Sequence, residues 1–305
     1  MFAESGNRCC VLVPLYRPCL SKTEALSLLA TYQRAVGAAE LAILHPPELS
    51  GFVQVLDQWF CHRDRQGQAF RSFEFPTRYF QGVSAYSSLL LSESFYARFS
   101  NYEWLFIIQP DALLLSDQWP IWLDSSYSYI GAPWFVGLEQ PRRPLRPLGG
   151  GNGGFSLRRI AHCREVLRYR GWLYRYWRSL EITTLPDQRF RAEWRACRRL
   201  FSNAGSFEKL DLYEDLFWSF IAPQISSAFC VAPFSITARF AFETEPRALF
   251  LHTQVVPLGC HAYERHDPLF WDQMWRSHPT LIGSFIESVE QLMVDLQQGG
   301  SSDNV

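Results

Sequence analysis

Short apolar runs alternate with amphipathic stretches along the first half of the chain. Arg8–Leu15 (RCCVLVPL) is apolar, β-branched and closed by Pro14, the pattern of a buried strand. From Ser21 to Val36 apolar residues recur at helical spacing, at Ala25, Leu28, Leu29, Tyr32 and Val36. Ser21 is the N-cap, Glu24 stands three positions on, and Gly37 follows the end. Glu40–His45 (ELAILH) reads as a second strand. This β-α-β opening predicts a parallel sheet with crossover helices. Further on, Ala85–Phe99 is helix-like, Trp104–Gln109 (WLFIIQ) is the most hydrophobic strand candidate, and Tyr127–Ala132 is another short strand. Pro141–Gly154, rich in Pro, Arg and Gly, reads as a loop. Ile160–Leu200 reads as helix in pieces, its basic residues forming a solvated face in preference to a phosphate-binding one.

Composition narrows this picture. Hydrophobic residues make up 48% of the 305 and charged residues 19%, an ordinary globular balance. A net charge of −1 gives no electrostatic case for nucleic acid or an anionic membrane. No run approaches the ~20 apolar residues that cross a bilayer, and no secretory signal opens the chain. The eight cysteines include no CxxC pair, which argues against a zinc site of the usual spacing. The expectation is a reduced, cytoplasmic protein, with a peripheral place at the inner membrane face as the second option. The 11 Trp residues suit sugar faces, and a core equally well. No linker or repeat divides the chain, so one domain is expected over residues 1–296, followed by a disordered tail over 297–305.

Three segments carry candidate chemistry. Gln109-Pro110-Asp111 ends the hydrophobic strand, where open α/β sheets bind ligands. A carboxylate there can hold a divalent cation against a diphosphate, and can equally serve as a turn residue. Gly149–Gly154 supplies backbone N–H groups without side-chain obstruction, or is simply a mobile surface loop. It lacks the Lys-Ser/Thr of a Walker A loop and does not follow the first strand as a dinucleotide fingerprint would. Glu214-Asp215 heads an aromatic run, where desolvation suits a carboxylate to general-base work, although acids also favour helix N-termini. His261 stands alone near the end of the chain, as structural histidines often do.

The order of strand-end Asp, Gly-rich loop with Phe-Ser-Leu, Glu-Asp and late His resembles the GT-A class of glycosyltransferases. It is similar above all to inverting enzymes of the fringe and β-1,3-galactosyltransferase type. PTRYF, YSSLLLS, FYARFSNYEWLFIIQPDALLL, YIGAPWF, GNGGFSLR, EDLFWS and PLGCHAY together resemble a bacterial glycosyltransferase-like family of unknown function. That resemblance runs from about Cys10 to about Trp271. It implies a GT-A-like (Rossmann-like) mixed, mainly parallel sheet flanked by helices in a single α/β domain. Asp111 matches the last acid of the Asp-x-Asp metal motif, with Gln109 in place of the first acid, and His261 matches the late metal-ligating His. Asn152, Gly153 and Gly154 would line the donor sugar together with Gln109 and Asp111, while Val13, Pro14 and Tyr16 would lie against the nucleotide base. Asp215 matches the general base, with Glu214 beside it, and Trp134 would stack on the acceptor sugar or pack beneath the loop.

The implied cofactor is a divalent cation, Mn or Mg. The implied partners are a nucleotide-sugar donor, a UDP-sugar foremost, and a glycan acceptor in surface polysaccharide or other glycan synthesis. The chemistry would be an in-line displacement with inversion through an oxocarbenium-like transition state. Two other readings are a degenerate glycan- or nucleotide-binding protein, favoured by Gln109, and a nucleotidyltransferase. The latter would need a basic Gly-rich loop, which Val13–Arg17 is not.

Overall fold

The alternation of apolar residues in the strand candidates is used on both faces of one sheet. The computed structural model describes residues 8–64, 69–168 and 213–299. Its strands β1 (Cys9–Pro14), β2 (Glu40–His45), β3 (Arg71–Glu74) and β4 (Trp104–Ile108) run parallel. Beside β4, β7 (Asn152–Arg159) runs antiparallel and pairs in turn with β6 (Tyr129–Ala132), giving the order β3-β2-β1-β4-β7-β6. Cys9, Val11 and Val13 point into one core with Trp104, Phe106 and Ile108, while Cys10 and Leu12 point into the other with Leu105 and Ile107.

Helices cover both faces, which is why these strands are apolar throughout. On the first face lie α1 (Lys22–Ala35), α2 (Ser50–Asp64) and the last helix, Ile286–Gly299. On the second lie α3 (Val83–Leu90), α4 (Glu93–Ala97), α5 over residues 160–168 and α6 over residues 214–225. The fold is therefore the expected mixed α/β one with a mainly parallel sheet. Trp104, Trp119, Trp218 and Trp271 are all fully buried, so these indoles serve the core. Among the described residues no helix is long and apolar enough to cross a membrane.

Several boundaries differ from expectation for identifiable reasons. The helix expected over Ala85–Phe99 is two helices, since Leu91 leaves the helical region and Ser92 is extended. Residues 152–154, expected in a loop, open β7 because their backbone joins the ladder: the Gln109 N–H donates to the Gly154 carbonyl at 2.8 Å. The last helix continues through Gly299, and the rest of the expected tail lies outside the described residues, as do Cys197 and the 169–200 part of the basic segment. The seven described cysteines are free thiols.

A second sheet was not foreseen. β5 (Ala112–Leu114), β9 (Gly259–His261) and β8 (Ala241–Phe242) form it in the order β5-β9-β8. Its strands are two or three residues long, too short for a periodic pattern to register.

The start of α1 is as expected, with Ser21 accepting from the Glu24 N–H and Glu24 accepting from the Ser21 N–H. Glu24 also receives Arg17 at 2.6 Å and the Tyr16 hydroxyl at 3.3 Å, tying the segment after β1 to the helix. Ser21→Ala should cost about 1 kcal/mol, as N-cap truncations do. Urea denaturation should show a lower midpoint with an unchanged slope.

Candidate active site

The order β2-β1-β4 places a topological switch point between β1 and β4, and ligands in such sheets bind at the carboxyl ends of the strands there. Pro14 ends β1 and Tyr16 follows it, and Gln109, Pro110 and Asp111 follow β4. All five border a cavity of about 530 Å³, the size range of small-ligand sites.

The small sheet supplies the opposite wall. Ala112 is registered with His261, and the Ala262 N–H donates to the Asp111 carbonyl at 3.0 Å, so Asp111 and His261 are forced together. His261 Nε2 lies 3.1 Å from Gln109 Oε1 and 3.3 Å from Asp111 Oδ1, while its Nδ1 lies 2.9 Å from Glu243 Oε1. Burial opposes charge on this ring, but hydrogen bonds to Asp111 and Glu243 outweigh it and push the imidazole up to about 10. Burial likewise tends to raise the Asp111 carboxyl, yet the bond to His261 and its charge hold it below its ordinary value.

The third wall is the start of β7, which sits over a buried ion pair. Arg158 is wholly buried and grips Glu214 with both ends of its guanidinium, at 2.8 and 2.9 Å. Its remaining N–H groups reach Ser156 Oγ, Tyr96 Oη and the Gly153 carbonyl, and the Tyr129 ring lies 5.5 Å away. All five donors of the fork are thereby used. The absence of side chains in the Gly-rich segment follows from this crowding. A Cβ on Gly153 would come within 2.0 Å of Glu214 Oε1, and one on Gly154 within 2.2 Å of His261 Nε2.

Asp215, next to Glu214, is not tied into that pair. Its Oδ1 accepts from the Leu216 N–H at 2.9 Å. Burial, and then the neighbouring charge of Glu214, push its carboxyl up to about 7.

Of the expected site residues, Pro14, Tyr16, Gln109, Asp111, Asn152, Gly153, Gly154, Glu214, Asp215 and His261 all border this cavity. Two others do not. Val13 is 1% exposed within β1, its side chain in the core. Trp134 is 5% exposed and stacked on Phe220 at 6.2 Å, the packing alternative, because β6 turns it away from the cavity.

Sequence reasoning missed Arg158 and Glu243. A charged residue within the apolar FSLRR strand and an acid directly after the apolar AF pair were the available signals. Also unforeseen were Glu139, Glu264 and Arg265 on the border, with Arg265 paired to Glu139.

Among the described residues, no three His, Cys, Asp or Glu side chains form a ready metal cluster. The donor set at Asp111 nevertheless fits a divalent cation. The His261 Nε2 lies 3.1 Å from an amide oxygen and 3.3 Å from a carboxylate oxygen, each close to the ~3 Å edge of an octahedron with ~2.1 Å bonds. The missing side chain of Gly154 leaves space against two of these donors, and Glu243 holds the far nitrogen of the ring as a carboxylate behind a ligating His does.

A family model described as "Protein of unknown function (DUF5672)" matches residues 69–261. No curated protein matches the chain in sequence. Among solved structures, galactosyltransferase LgtC in complex with donor and acceptor sugar analogs aligns with a TM-score of 0.45 at 14% identity, over 93% of this chain and 95% of that one. The bifunctional glycosyltransferase WbbM aligns at 0.44 and 9% identity, over 88% of this chain and 48% of that one. The mannosyltransferase PcManGT from Pyrobaculum calidifontis, in complex with GDP-Man and Mn2+, aligns at 0.35 and 13% identity, over 99% and 89%.

Removing one partner of a buried pair strands the other. Arg158→Met should therefore lower stability by about 3–5 kcal/mol, and adding Glu214→Leu should recover much of that loss. Denaturant unfolding of the two variants beside the parent measures both.

Proposed function

The chain belongs to the DUF5672 family, and we propose that it is a GT-A-type glycosyltransferase moving a sugar from a nucleoside-diphosphate donor to an acceptor hydroxyl. One observation carries this reading. Asp111 with His261, the side-chain-free start of β7, and Asp215 face a single cavity at the β1/β4 switch point.

The reaction needs three things at once: charge for a departing diphosphate, room beside the anomeric carbon, and a base for the acceptor. Asp111 Oδ1, His261 Nε2 and Gln109 Oε1 would hold a divalent cation, Mn or Mg, which when bound supplies positive charge to the diphosphate. That charge matters because the cavity border carries Asp111, Glu139, Glu214, Asp215, Glu243 and Glu264 against His261 and Arg265. Gly153 and Gly154, on the cavity border, let Glu214 and His261 close against the backbone of β7, along which the sugar would lie. The exposed Tyr16 ring, held through Glu24, offers a face to the nucleotide base, which UDP would supply.

Asp215 is the base. The acceptor oxygen bonds to the anomeric carbon, the carbon–oxygen bond to the diphosphate breaks, and the hydroxyl proton passes to the Asp215 carboxylate. A single displacement of this kind inverts the anomeric configuration. A carboxyl pushed up to about 7 is well matched to accept a proton near neutrality. Glu214, held at both oxygens by Arg158, anchors the start of the helix that carries Asp215. The reaction would serve glycan or surface polysaccharide assembly. Gln109, an amide where the metal motif has an acid, favours a second reading: a protein that binds donor or glycan without turnover.

Asp215→Asn should lower transfer by about 10²–10⁴-fold while donor binding persists. In the parent, kcat/KM should rise with pH up to about 7 and level off above, since the ionised form is the base. Stability should move the other way. The folded carboxyl lies above its ordinary value, so its contribution is full at low pH and is lost as pH rises through about 7. The Asn variant should then be the more stable protein at pH 8. Parent-level turnover by the variant on a panel of nucleotide sugars would refute the assignment.

The cation has its own check. Manganese should tighten UDP binding about tenfold or more over a chelated sample in calorimetry, and Asp111→Asn should abolish the difference. Affinity indifferent to chelator removes the metal from this reading.

A further inference from the structure

Glu243 is a buried acid with one oxygen on the imidazole of His261 and the other without a hydrogen bond among the described residues. It follows β8, is 5% exposed, and has only one oxygen in use. Oε1 lies 2.9 Å from His261 Nδ1 and accepts from Asn152 Nδ2 at 2.9 Å. Oε2 is buried and has no hydrogen-bond partner among the described residues. Half of its accepting capacity is thus wasted, and a buried unsatisfied carboxylate oxygen is costly. Stability alone would favour an apolar residue here, so the reason for an acid lies in what Oε1 holds.

What it holds is the two sides of the cavity. Asn152 is locked twice, since its Oδ1 accepts from the Gly154 N–H at 2.6 Å while its Nδ2 donates to Glu243. Asn152 therefore spends its amide on shaping the start of β7, and it orients Glu243 in turn. On the other side, Glu243 Oε1 at Nδ1 sets the orientation of the ring and turns Nε2 toward Gln109 and Asp111.

We propose that Glu243 is a positioning residue that fixes the aim of His261 and, through Asn152, locks the start of β7 to the cation-binding corner. The inference rests on the cation reading given above. Sequence spacing could not suggest it, because residues 152, 243 and 261 meet only through the small sheet.

The test uses the full chain and reads Mn2+ rather than turnover. Free Mn2+ is followed by electron paramagnetic resonance in the presence of saturating UDP. Glu243→Gln keeps an acceptor but loses the charge, and should weaken Mn2+ by about 10-fold; Glu243→Ala loses both and should weaken it by about 100-fold. Both variants should retain a cooperative melt, and if the Ala variant fails to fold, the Gln variant still decides. In the ring-15N-labelled parent, adding Mg2+ and UDP should remove the proton from His261 Nε2 and leave Nδ1 protonated. In Glu243→Ala that loss should require about 100-fold more Mg2+.

Equal Mn2+ affinity in the parent and both variants, with His261 ring signals unchanged, overturns the role of Glu243 and leaves the functional reading standing. A parent that binds UDP but no Mn2+ overturns the cation reading, and this inference with it.

Discussion

A guanidinium with no access to water underlies the whole active corner. Arg158 lies on β7, between the sheet and the second core, and could not remain charged there without the carboxylate of Glu214. The pair draws residues 214 and 158 together across a long stretch of sequence, and so determines where α6 begins. Asp215 follows at once, and both acids border the cavity, Glu214 held by Arg158 and Asp215 outside that pair. The same pair determines the composition of β7, since Gly153 donates its carbonyl to Arg158 and has no space for a side chain beside Glu214. Two motifs that look independent in the sequence, the glycine run and the Glu-Asp pair, are two sides of one contact.

The other half of the site rests on a different device. β5, β9 and β8 contribute little sheet, but their register sets Asp111, Glu243 and His261 around one imidazole. Strand ends are suitable for this work because the ladder fixes the backbone while the side chain beyond the last pair is free to face the cavity. His261 illustrates the result: both ring nitrogens are engaged by acceptors from elements distant in sequence.

This division explains what the sequence could and could not disclose. β1, α1, β2 and β4 were legible because each is long enough to show a period, and the capping box of α1 is a local signal. Asp111, Asp215 and His261 stood out through motif order, which implied a shared cleft, and all three border the cavity. Arg158 and Glu243 were hidden because a lone charge in an apolar run has no local meaning until its partner is placed. Asn152 was read as a donor-facing group, whereas its amide is committed on both sides. Trp134 stood open between a sugar face and packing beneath the loop, and it stacks on Phe220.

The amide at position 109 becomes intelligible in this electrostatic setting. Of the carboxylates bordering the cavity, Glu214 is balanced by Arg158 and Glu139 by Arg265, which leaves Asp111, Asp215, Glu243 and Glu264 facing the single imidazole of His261. A further acid at 109, within about 3 Å of that ring, would add a like charge to a corner already short of cations. It would also raise the proton affinity of its neighbours and deepen their competition for His261. Gln109 presents the same oxygen to His261 without the charge. The neutral amide at 109 and the acid-rich border are then two sides of one charge balance around the ring of His261.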